Sequence, residues 1–190
     1  ARATPPERYP SIHLDNEPYL LEGWQESSRR GQILADYVDL FRKLDTQADA
    51  LGMEVGVDIP FWWDERDPQG NPIYTVATAG GPQPLLDALF PLVKHVGIMS
   101  YRDRVTGPNG VVRHCMEEFR LGSEYGNNVY AAVELGTGED VEQGTSFGPY
   151  PYEYFRNQLE TLNRVLSSIP GCAGIAIHYY KPYAQLAGRP

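Results

Sequence analysis

Apolar residues recur along this chain in two alternating rhythms. Short, nearly continuous apolar runs predict strands over residues 12–17, 53–59, 95–100, 128–134 and 173–179. Between them apolar positions return every three to four residues, the spacing of a helix with one buried face. That spacing covers residues 32–51 (Ile33, Leu34, Tyr37, Val38, Leu40, Phe41, Leu44), 84–94, 111–125 and 152–168. Gly52 and Gly126 are placed to stop two of these helices. Residues 65–83 and 136–151 are rich in Gly and Pro and read as long loops, and the first ten residues, with Pro5, Pro6 and Pro10, as a polar lead-in.

Five strands alternating with four helices predict an α/β fold, a single domain over 1–190 built on a parallel β-sheet with right-handed crossovers. The unbroken apolar runs predict strands covered on both faces. Polar groups gather where the runs end: Asp15 and Glu17, Asp58 with Trp62 to Asp64, Tyr101 to Asp103, Glu134, then His178 and Tyr179. Five such ends on one rim form the pattern of a (β/α) barrel mouth. A closed barrel takes eight units and about 250 residues. The expectation is therefore a partial (β/α)8 TIM barrel, strands 4–8, lacking its first three units and ending before a final helix.

Composition narrows the function. A net charge of −9 argues against nucleic acid and anionic membrane as partners, because both reward a basic face. No apolar run approaches the ~18 residues of a membrane span, and no signal peptide is visible. Two cysteines, Cys115 and Cys172, are too few for a disulfide scaffold and read as small hydrophobes. The chain has 13 Tyr, 6 Phe and 3 Trp, which suit sugar stacking and core packing equally.

The densest chemistry lies at residues 12–19, Ile-His-Leu-Asp-Asn-Glu-Pro-Tyr. Alternation along a strand puts His13, Asp15 and Glu17 on one face, and Pro18 ends the strand. Asn16-Glu17-Pro18 resembles the Asn-Glu-Pro of clan A retaining glycosidases, (β/α)8 barrels whose acid/base Glu follows the fourth strand. Glu134, in Val133-Glu134-Leu135-Gly136, then falls where that clan keeps its nucleophile, after the seventh strand. The chain also resembles chitinase-type barrels through Asp15-Asn16-Glu17 and Met99-Ser100-Tyr101, with His13 where their motif has Asp.

These resemblances imply hydrolysis of a glycosidic bond by two carboxylates, with no cofactor and a carbohydrate substrate. Glu17 is then the acid and Glu134 the nucleophile or base. Asp15 tunes Glu17 by like-charge repulsion, and Tyr101 donates to the nucleophile. His13, Asn16, Asp58, Trp62, Trp63, Arg102, His178 and Tyr180 line the substrate site in this reading. Trp62 and Trp63 serve equally well as core residues, and Arg102 equally well as an ion-pair partner of Asp58. Two alternatives stay open. His13, Asp15, Glu17, Asp58, Glu134 and His178 form a donor set suited to a divalent metal. A catalytically silent carbohydrate-binding barrel would keep the same carboxylates for hydrogen bonding. His95 and His114 read as surface or capping residues, and Glu139, Asp140 and Glu142 as a solvated loop.

Overall fold

The computed structural model describes residues 9–139 and 141–188, so Pro5, Pro6 and Asp140 lie outside it. In chain order the elements are β1 (Ser11–Leu14), α1 (Ser27–Leu51), β2 (Glu54–Pro60), β3 (Thr75–Thr78), β4 (Gly81–Pro84) and α2 (Leu85–Leu89). Then come β5 (His95–Met99), α3 (Met116–Tyr125), β6 (Asn128–Glu134), α4 (Tyr152–Leu166), β7 (Cys172–His178) and α5 (Tyr180–Leu186). The fold is α/β. Five strands form one parallel sheet in the order β1-β2-β5-β6-β7, and β3 with β4 makes a separate antiparallel hairpin. Among the described residues, no helix is long and apolar enough to cross a membrane.

The chain divides into two compact units. The first runs to Ile59 and resumes over Trp63–Val96; the second takes Pro60–Trp62 and everything from Gly97 onward. In the first, β1 and β2 pair in parallel with His13 opposite Gly56. Leu34, Val38 and Phe41 of α1, three helical positions on one face, bury with Val55, Val57 and Ile59 of β2. Gly52 stops α1 in the left-handed conformation at φ 68°, where a side chain would be strained.

In the second unit, β6 and β7 pair in parallel with Glu134 opposite His178. Phe119 and Leu121 of α3, Phe155, Leu162 and Leu166 of α4, and Val129, Ala131 and Val133 of β6 make its core. Gly171 lets the chain into β7 pass under α3, for a Cβ there would lie 2.0 Å from the Phe119 carbonyl oxygen.

Several expectations are corrected. The first strand ends at Leu14, so Asp15 to Glu17 do not continue its alternation but lead into a 3-10 turn at Pro18–Leu20. Residues 65–83 contain most of the β3–β4 hairpin, whose two prolines mask any alternation. The last strand is followed by a helix, α5, within the described chain. Full coverage holds for the centres of β2, β5 and β6 but not for β1 and β7. Ile12 is 41% exposed, because an edge strand has a neighbour on one side only.

Candidate functional site

Glu134 is the last residue of β6, and its side chain is only 12% exposed. One carboxylate oxygen meets His178 Nδ1 at 2.7 Å, across the last register position of β6 and β7. The other accepts the Gly136 N–H. A Cβ on Gly136 would stand 2.9 Å from that oxygen, so the glycine permits the approach. The ring of Tyr101, just past β5, stacks on His178 with centroids 5.8 Å apart. Three strand ends thus bring Tyr101, Glu134 and His178 together.

The following loop grips the main chain of Glu134. Phe147 N–H donates to the Glu134 carbonyl at 2.9 Å. Ser146 Oγ donates to the Gly136 carbonyl at 2.7 Å and accepts from Gly148 N–H at 2.9 Å. Gly148 has no room for a side chain, its Cβ position being 2.3 Å from the Leu135 carbonyl oxygen. The loop is tied in turn to buried Asp103, which accepts the Tyr150 hydroxyl at 2.6 Å and Arg104 Nε at 3.0 Å. Burial alone would push the Asp103 carboxyl up. The Tyr150 and Arg104 hydrogen bonds outweigh it and hold the group below the usual carboxylate range.

In the first unit, His13 Nε2 pairs with Asp58 Oδ1 at 3.0 Å. The ring reaches across Gly56, where a Cβ would lie 2.3 Å from Nδ1. The Asp58 hydrogen bond outweighs burial and, with the charges of Asp58 and Asp15, raises the His13 pKa above 6.5. Glu17 accepts the Tyr19 hydroxyl. Asn16, Glu17, Asp36 and Tyr37 border a cleft of about 310 Å³ whose other walls include Leu21 and Leu40. Tyr37 is 5% exposed and its hydroxyl has no hydrogen-bond partner among the described residues. Burial, with Asp15 and Asp58 nearby, raises its pKa far above the usual phenol range.

The remaining candidates separate. Trp63 is 2% exposed and meets Tyr37 edge-on at 5.4 Å, so it packs the core and offers no stacking face. Trp62 is half-buried in the turn after β2, and Tyr180 is exposed on the first turn of α5. Arg102 bonds Asn109 and the Tyr101 carbonyl, while Asp58 bonds His13; neither makes the ion pair the sequence suggested. Among the described residues, no three His, Cys, Asp or Glu side chains group as metal ligands.

No family model, curated protein or solved structure matches this chain.

Sequence reasoning overlooked Gly136, which holds the carboxylate, and Ser146 and Gly148, which hold the main chain beside it. Only the Gly-rich character of residues 136–151 hinted at a fitted loop. In the second unit the arrangement presents one oriented carboxylate, a histidine bonded to it, and an aromatic ring. Nucleophilic or base chemistry at Glu134 is what such a set can do.

Proposed function

We propose that this chain is part of a (β/α)8-barrel hydrolase, strands 4–8, that cleaves a glycosidic bond with Glu134 as nucleophile or base. The observation that carries the reading is the state of the Glu134 carboxylate. It sits at the carboxyl end of a parallel strand, both oxygens held by N–H or imidazole groups, with no arginine or lysine among the described residues paired to it. An Arg partner would instead have marked a structural ion pair. The half-exposed edge strands β1 and β7 support the partial-barrel reading, since further strands would cover them. The resemblance of Asn16-Glu17-Pro18 to the clan A motif makes Glu17 the proposed acid, and Glu17 accepts the Tyr19 hydroxyl.

The test is kinetic, on aryl glycosides of graded leaving-group quality. Glu134→Ala loses roughly 10³-fold or more in kcat, and added azide restores turnover as a glycosyl azide. Glu17→Gln loses roughly 10²–10⁴-fold on poor leaving groups and far less on good ones, as removal of a general acid requires. Undiminished hydrolysis by Glu134→Ala overturns the assignment.

A further inference from the structure

Among the described residues, Arg102 makes no ion pair; its hydrogen bonds go to neutral oxygens. The arginines at 42, 104, 120 and 156 each meet a carboxylate. Arg102 does not, as other described arginines do not, and what sets it apart is the way its guanidinium is braced. Its Nε donates to Asn109 Oδ1 at 2.8 Å and its Nη1 to the Tyr101 carbonyl at 2.6 Å, both neutral oxygens. The guanidinium carbon stands 4.4 Å from the centroid of the Phe61 ring. Burial lowers the pKa of Arg102, and the charges of Glu142 and Asp103 act against that from beyond ion-pair distance.

A second nitrogen group shares these supports. His114 Nε2 lies 2.8 Å from the same Asn109 oxygen, and its ring packs on Phe61 with centroids 4.1 Å apart. An amide oxygen only accepts, so His114 presents Nε2–H to it. Asn109 and Phe61 therefore hold two nitrogen groups side by side. A guanidinium has five N–H donors. With two engaged, three remain. Withdrawing a cation from water without an anion is unfavourable. A braced guanidinium with open donors is also how proteins capture carboxylate and sulfate groups.

We propose that Arg102, braced by Asn109 and Phe61 with His114 beside it, is an anion-recognition subsite, and that the substrate is an acidic saccharide. The saccharide half rests on the hydrolase reading; the anion site stands without it. Arg102 follows Tyr101 directly, so the subsite adjoins the residue that stacks on His178. A carboxylate on a uronic acid and a sulfate ester on a sugar present the same compact oxyanion.

The test follows His114 by NMR in the whole chain while D-glucuronate, inorganic sulfate or neutral D-glucose is added. Burial, Arg102 and Arg113 together hold the His114 pKa below 6.5. An anion seated on Arg102 offsets that repulsion, so the His114 midpoint rises, while glucose leaves it in place. Arg102→Gln weakens the response roughly tenfold or more, the scale of losing charge-assisted hydrogen bonds. Arg102→Lys keeps the charge but loses the fork, and falls between. A response to glucuronate alone assigns a uronic acid; a response to sulfate alone assigns a sulfated sugar. If neither anion moves His114, Arg102 is only a brace for its loop and the proposal is overturned. The wild-type titration decides this even where Arg102→Gln does not fold. Glu134→Gln retains the response, so failure of the hydrolase reading and failure of the anion site are separately visible.

Discussion

At the scale of single residues, the site depends on what is missing from glycines. Gly136→Ala forces a methyl against the Glu134 carboxylate, which must turn or shift to admit it. Displacement of about 1 Å costs roughly 10²-fold in rate. On the proposed hydrolase reading kcat/KM falls by about that factor while the melting temperature moves little, and paired kinetics and calorimetry check it. His13 supplies a pH-dependent counterpart. Its folded pKa lies above 6.5, so the His13–Asp58 pair stabilises the first unit fully below that value. The contribution disappears as pH rises through the raised folded value. Asp58→Asn should bring the His13 midpoint back toward 6.5 and flatten the melting temperature across that window. A midpoint unmoved by the substitution would show that Asp58 is not the cause. Glu134 and His178 were legible as strand-end residues, because strand ends can be read from apolar runs. Their pairings were not. His13 meets Asp58 because Gly56 clears its path, and no pattern in the sequence marks a glycine as a gap beneath a particular ring.

Among elements, the loop between β6 and α4 has the clearest energetic role. Ser146 is buried and serves Gly136 and Gly148 at once, so Ser146→Ala leaves two backbone groups short of a partner. The expected cost is about 1–3 kcal/mol, read from urea denaturation. A variant as stable as the parent would mean the clamp is replaced without loss. The sequence placed all five sheet strands within a few residues, and β6 at 128–134 without error. Long buried runs tolerate no competing reading. The start of α1 was missed because Ser27 to Gly31 contains no apolar residue. The β3–β4 hairpin was missed because Pro82 and Pro84 look like loop residues, yet each can occupy an edge position without leaving a ladder hydrogen bond broken.

For the whole molecule, the outer strands matter most: among the described residues β1 and β7 end the sheet. Parallel strands whose faces are partly bare invite pairing with another chain. Sedimentation at rising concentration should show self-association, and Ile12→Lys should reduce it without lowering the melting temperature, since Ile12 lies on the exposed margin of β1. Association unchanged by the lysine would place the contact elsewhere. The parallel order of the sheet was legible from strict βα alternation. The division into two compact units was not, because it falls within β5 and beside the Pro60–Trp62 turn, where the apolar pattern runs on unbroken. The grip of the loop on Glu134 makes the second unit keep time on itself. The Phe147 amide hydrogen, bonded to the Glu134 carbonyl, can trade with deuterium only when the loop lets go. Its exchange rate is thus a clock for how often the carboxylate loses its seat, and any ligand that needs that seat occupied should slow the clock.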